Sequence, residues 1–417
     1  MQAIRCSSRP LVHQQRPTLL AGLPLRSRAS IRPKVAALDP VTIPADERGF
    51  RLNPDGTHDL SAPPPFSLTD IRNAIPAHCW EKNTFKSFAH LALDVGIVAG
   101  LAAAAYVANS WFVWPLYWLA QGTMFWALFV VGHDCGHQSF SPSRTLNDFV
   151  GNIVHASIMV PYHGWRVSHR KHHGNHGHVE NDESWYPTTK SLYDKMDEWT
   201  KLGRNYFPTT LFAYPFYLWK RSPGKTGSHY DPSCDLFVPS EKNMVLTSDA
   251  FLVGMAAILV AATAKLGILA MFNLYFVPYW VFVMWLDTVT YLQHHGSSDP
   301  AEKLPWYRGE EWSYLRGGLT CLDRDYGIFH KVTHDIGTHV VHHLFPQIPH
   351  YNLQDATAAV KPILGPYYRE PVKCAPHGVP LHLLEPLKRS FGEDHFVADE
   401  GDIVFYQKDE KLGKTAA

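Results

Sequence analysis

Four stretches of this chain stay apolar for about as long as a helix needs to cross a bilayer, roughly 20 residues each, and they come in two pairs. The first pair is "FAHLALDVGIVAGLAAAAYVA", 88–108, and "WFVWPLYWLAQGTMFWALFVV", 111–131. The second is "AFLVGMAAILVAATAKLGILAMF" from Ala250 and "YFVPYWVFVMWLDTVTYL" ending at Leu292. Spans are therefore expected over about 88–108, 111–131, 250–270 and 275–292. Trp111, Trp114, Tyr275, Tyr279 and Trp280 fall near the proposed ends, as an interfacial aromatic belt requires. Two residues are out of character. Asp94 marks either an interfacial end or an inward contact, and Lys265 either snorkels or shows that its span starts earlier.

The crossings divide the rest of the chain. Two of them separate the polar stretch 132–249 from 293–417, so both stretches face one compartment. The turns around Asn109 and Asn273 lack Lys and Arg, whereas Arg72, Lys82, Arg166, Arg170 and Lys171 lie on the other side. Positive charge marks that side as cytoplasmic or stromal. The expected fold is mainly α: an integral membrane protein with four transmembrane helices and a same-side helical cap. Residues 36–87 read as a polar lead-in, in which Ser67 or Thr69 is placed to cap a short amphipathic stretch. Residues 391–417 read as a C-terminal tail.

Just past the second span, "GHDCGH" sets His133 and His137 four apart, on one face of a helix. "HRKHH" then gives His169, His172 and His173, and the same H-x-x-H-H spacing returns in "HVVHH" as His339, His342 and His343. One such cluster among 25 histidines is weak; three, all on one side of the membrane, are a metal site. Eight imidazoles exceed what one tetrahedral ion accepts, so two metals are expected. Ligand type alone leaves Zn, Cu, Fe and Ni open, and no H-E-x-x-H is present to suggest a zinc hydrolase. Iron is preferred, because neutral imidazoles leave an iron pair cationic and able to bind and cleave dioxygen.

The three clusters resemble the histidine boxes of the membrane fatty acid desaturases. "GHVENDESW", "LPWYRGEEWSYLRGGLTCLDRDYG" and "HDIGTHVVHHLFPQIPHYNL" are closest to the plant and algal omega-3 desaturases, and the likeness runs from about Phe66 to about 390. The resemblance implies a membrane desaturase domain over 88–390 and a non-haem di-iron centre, with O2 as co-substrate, held by those eight histidines. It also implies further ligands, for which His294 and His334 are the candidates. The omega-3 pattern after the last span is closer to "YLHHHGH", so Gln293 and Ser297 stand in place of histidines here, and His294 is favoured over His295. Glu180, Asp182 and Glu183 are candidates to accept hydrogen bonds from ligand imidazoles, or form a solvated acidic turn. His176 and His178 lie beyond the helix-spaced trio and are weaker ligand candidates.

A desaturase needs two electrons per turnover. No cytochrome b5-type H-P-G-G segment and no dinucleotide fingerprint occurs, so a separate donor is expected. Residues 1–35 hold Arg5, Arg9, Arg16, Arg26, Arg28, Arg32 and Lys34 among serines, with no acidic residue before Asp39, which is the composition of an organelle transit peptide. With a plastid leader the resemblance implies ferredoxin as donor, membrane glycerolipids as substrate, and a chloroplast membrane (envelope or thylakoid) with the active site facing the stroma. Removing that leader leaves an acidic chain, so a nucleic-acid partner is not expected. Six scattered cysteines without C-x-x-C fit a reducing compartment. The same boxes also support omega-6 desaturation, hydroxylation or conjugation. A histidine-rich metal transporter or sensor is the non-enzyme alternative, though its ligands belong within the spans, near the midplane.

Overall fold

Ser67 and Asp70 cap each other's backbone in a reciprocal box that opens α1 (Leu68–Ala74). Asn83 then accepts from the N–H of Lys86 and starts α2 (Thr84–Ala108), which stops where Asn109 turns left-handed at φ 36°. The chain returns through α3 (Trp114–Gly136) and runs on into α4 (Arg144–Ser157) and α5 (Tyr162–Asn175). Three short helices follow: α6 (Lys190–Asp194), α7 (Glu198–Asn205) and α8 (Tyr214–Lys220). The second long pair is α9 (Lys242–Leu266), then α10 (Ile268–Met271) running through a π turn into α11 (Val277–His294). Beyond it lie α12 (Tyr314–Gly318), α13 (Phe329–Val332), α14 (Val340–Leu344), α15 (Leu353–Leu364) and α16 (Leu384–Glu393). The structure, a computed structural model, describes residues 45–205, 208–296, 303–376 and 378–412. The expected transit peptide and Ser297 lie outside them.

Among the described residues three helices are long and apolar enough to cross a membrane: Thr84–Ala108, Pro239–Leu266 and Ile268–His294. On α2 and α9 large apolar side chains such as Leu93, Ile97, Val107, Val253 and Val260 face outward, unpaired with protein. α3 matches them in length but is diluted by Trp, Tyr, Gln121 and Thr123, and every residue from Gln121 to Cys135 is buried. It is the central helix, packed on α2, α4 and α11.

Two expectations change. The second reversal falls at Gly267, not near Asn273, because Gly267 alone there adopts φ 89° without a Cβ penalty. Lys265 therefore sits beside the turn, in the last turn of a helix that begins at Lys242 rather than near 250. Asn273 is absorbed into the π turn Phe272–Phe276. The turn precedes Pro278, which has no N–H to give the Leu274 carbonyl; the Tyr117 hydroxyl donates to that carbonyl instead, at 2.7 Å. Asp94 proves to be an inward contact, 3% exposed and paired with the His334 ring at 2.7 Å.

The lead-in is polar by composition, yet its few apolar residues are used. Phe50, Ile71, Ile75 and Cys79 are buried against Val341, Leu344, Ile348 and Val360 of the α14–α15 region. The tail also joins the body, since β1 (Trp306–Tyr307) pairs antiparallel with β2 (Ile403–Val404), Trp306 opposite Val404.

α3 and α11 touch at Gly122, where an added Cβ would lie 2.4 Å from Val281 Cβ and 2.7 Å from the Pro278 carbonyl. At Gly100 on α2 nothing stands within 4 Å. Gly122→Val is expected to cost about 1–3 kcal/mol by overpacking, and to lower the thermal midpoint in detergent, while Gly100→Val leaves it within error.

Candidate metal centre

The last turn of α3 carries His133, and His137 follows at its C-cap. α5 carries His169, His172 and His173, the start of α14 carries His339, His342 and His343, and α11 ends on His294. Their rings form two groups. One ring nitrogen each from His133, His137, His169, His173 and His342 lie within 4.8 Å of one another. So do single donor atoms of His294, Cys321, His339 and His343, and those of His172, His176 and His294. Each H-x-x-H-H trio is thus shared between groups: the i and i+4 rings, His169 with His173 and His339 with His343, stay together, while His172 and His342 join the other group. His173 and His343 stack at 4.1 Å, joining the two groups.

The rings suit a di-metal site. Burial first, and neighbouring imidazoles second, push His137, His169, His173, His339 and His343 well below the ordinary histidine range. Burial takes His342 down to about 4. Neutral imidazoles are what a metal requires. Buried nitrogens of His137, His172, His342 and His343 have no hydrogen-bond partner. His339 and His294 bring Nε2 atoms to 3.2 Å, and His173 and His169 to 3.1 Å, convergence that an ion would relieve. Cys321 stands in the second group as a neutral thiol, its pKa driven up by burial and then by Asp323.

Three buried carboxylates stand around the rings. Asp182 contacts His172 Nδ1 at 2.8 Å and His176 Nδ1 at 3.2 Å, which turns the His172 Nε2 toward the group. Burial pushes the Asp182 carboxyl up, but the His172 and His176 rings outweigh it and hold it below the usual carboxylate range. Asp323 accepts from the backbone N–H of His339 (2.6 Å) and Val340 (2.8 Å) and from the Tyr368 hydroxyl, so it caps α14. Asp134, beside His133, accepts from His350 Nδ1 at 2.8 Å. Neither Asp134 nor Asp323 stands out in the sequence. Asp323 could be suspected only from its place in "LTCLDRDYG".

The remaining candidates separate. Glu183 is buried against Arg221, at 2.8 and 2.9 Å, and Glu180 reaches Arg308 at 2.6 Å; neither meets a box imidazole among the described contacts. His176 is 2% exposed and joins the second group, though its Nε2 also meets Thr320 Oγ1 at 3.2 Å. His178 turns outward, where it accepts from the Glu180 N–H. Gly177, at φ 74°, separates the two. His295 stacks on Tyr291 at 4.0 Å, leaving His294 to the site. Gln293 donates to the Ile336 carbonyl at 2.7 Å. His334 is in neither group; it lies with His90 and His350.

A cavity of about 500 Å³ ends on His133, His169, His172, His294 and His339. Its walls are largely aromatic, Trp126, Phe129, Trp165, Trp185 and Tyr214 among them. Its lining also includes Phe216 and Trp219, which are exposed. Trp165 stacks on His169 at 4.6 Å, so the apolar wall abuts the histidine groups directly.

Comparison with known proteins agrees with this arrangement. The fatty acid desaturase family model matches residues 76–373, and a second model, described as a domain of unknown function, matches 40–103. The chain is 62% identical over 354 residues, 85% of its length and 78% of the relative's, to the sn-2 acyl-lipid omega-3 desaturase (ferredoxin), chloroplastic, of Arabidopsis thaliana. It is 61% identical to a chloroplastic omega-3 fatty acid desaturase of Brassica napus, over 85% of this chain and 86% of that one. To an omega-3 fatty acid desaturase of Vigna radiata var. radiata named for the endoplasmic reticulum it is 58% identical, over 87% and 94%. With the family model covering most of the sequence and the paired histidine groups at the end of an apolar cavity, this chain belongs to the fatty acid desaturases.

Proposed function

We propose that this desaturase inserts the omega-3 cis double bond into dienoic acyl chains of membrane glycerolipids, giving trienoic chains. Each turnover uses one O2, two electrons and two protons and releases two waters. The observation that carries the reading is the apolar cavity closing on both histidine groups. The omega-3 position and acyl-lipid substrate follow the names of relatives at about 60% identity. Ferredoxin is the proposed donor on the same ground.

Two iron ions are the proposed cofactor. His133, His137, His169, His173 and His342 would hold one, and His172, His294, His339 and His343 the other, with His176 in reserve beside the second. Bound there, the iron pair supplies an oxidant, drawn from O2, strong enough for an unactivated C–H bond. The protein's own part is positional. Asp182 and Asp323 fix His172 and His339, and the aromatic walls exclude water and hold one stretch of acyl chain against the site. Access is from the bilayer, past Phe216 and Trp219 on α8.

The proposed topology has α2, α3, α9 and α10–α11 crossing the membrane, with the long segments as a cap on one face. In support, α2 begins where α3 ends: Thr84 Oγ1 meets Ser141 Oγ at 3.0 Å. Near the start of α9, Ser248 accepts from the His163 N–H at 2.7 Å. The chloroplast membrane, cap toward the stroma, is the proposed location. It rests chiefly on the basic leader over 1–35, since a relative of similar identity is named for the endoplasmic reticulum.

Expression with ferredoxin in a host lacking trienoic fatty acids should yield new omega-3 double bonds on glycerolipid chains, read by lipid analysis with bond location. Hydroxylated, conjugated or omega-6 products instead would overturn the assignment. Asp182→Asn should weaken metal binding about 10–100-fold, seen as lost iron in the purified protein, whereas Glu180→Gln keeps its iron. Ala213→Trp, which fills the cavity wall, should cut product about tenfold or more by displacing the chain, with iron content unchanged.

A further inference from the structure

His90, His334 and His350 bring one ring nitrogen each within 4.8 Å of one another, apart from both groups above. They come from three places in the chain. His90 lies in the second turn of α2, His334 in the loop before α14, and His350 opens the 3-10 turn His350–Asn352 that leads into α15. Their ring centroids are 4.6 Å (His334–His350), 4.9 Å (His90–His350) and 5.5 Å (His90–His334) apart.

Two of the rings are already set up as ligands. His334 Nε2 is taken by the buried Asp94 carboxylate at 2.7 Å, which leaves Nδ1 for the cluster. His350 Nδ1 is taken by Asp134 at 2.8 Å, and its Nε2 is buried without any partner. A carboxylate behind each imidazole fixes the tautomer and raises basicity, the usual outer support of a metal-bound histidine. His334 and Asp335 also hold φ of 56° and 55°, two successive left-handed non-glycine residues. Such strain persists where the surroundings demand it, and here it accompanies a ring aimed at Asp94. The His350 Nε2 lies buried among the cluster's rings with no hydrogen-bond partner of its own.

We propose that His90, His334 and His350 form a third metal site, which binds a single divalent transition ion of the zinc class with three imidazoles and one open position. Three-histidine sets with a free fourth position suit that class, with nitrogens drawn to about 2.0–2.1 Å from the ion. Of the three rings, only His90 is half-buried rather than buried. The ion fastens both ends of the third histidine box to the first long helix. Asp134 stands between it and the first histidine group, with Oδ1 at 4.0 Å from His133 Nδ1.

The test is total metal content of the purified full chain, after equilibration with Co²⁺ and removal of free ion. Wild type should hold three ions per chain and His90→Ala two, the remaining pair reporting an intact centre. Equal content in the two proteins, whether two or three, overturns the site. His90→Cys gives an independent reading: a thiolate-to-cobalt charge-transfer band in the near ultraviolet, beyond any that wild type shows through Cys321, is expected, and the absence of that added band, with the other two ions bound, also overturns the site.

Discussion

Ten imidazoles packed together out of water are unstable company unless something occupies the space between their nitrogens. Each buried nitrogen left without a partner costs on the order of 1–3 kcal/mol, and the two groups contain several, on His137, His172, His342 and His343 among others. The rest of the architecture serves that convergence. Helices end at it, buried aspartates brace it, and the central helix α3 is enclosed so that His133 emerges at a fixed height.

The bracing is uneven in an informative way. Asp182 faces two rings at once, Asp323 holds backbone rather than ring, and Asp134 turns from the first group toward His350. Carboxylates thus stand around the two imidazole groups, behind the rings or on their backbone. The aromatic cavity meets the same rings, and Trp165 and His169 stack where apolar wall and polar group join.

Much of this was legible beforehand. Helical spacing announced His133 and His137 and both H-x-x-H-H trios, because periodicity follows from backbone geometry alone. Apolar length announced α2, α9 and α11, although the turn at Gly267 lay six residues before Asn273. Hydropathy cannot tell a π turn from a reversal when both fall in apolar sequence. The acidic run after the second box was ambiguous for the same kind of reason: Glu180, Asp182 and Glu183 differ little in sequence, and only the return of the chain past Gly177 sends Asp182 beneath α5 and Glu183 to Arg221.

The sequence by itself determined the helical class, the membrane-length stretches, the histidine spacing and the resemblance to desaturases, since these depend on local pattern. Tertiary structure alone decided how the eight box histidines divide into two groups, that His294 rather than His295 joins them, and that His334 stands with His90 and His350. It also decided that Phe50 and Ile71 of a polar-looking lead-in cover the third box. These outcomes turn on which distant segments meet, and contacts between segments hundreds of residues apart leave no periodic trace in either one.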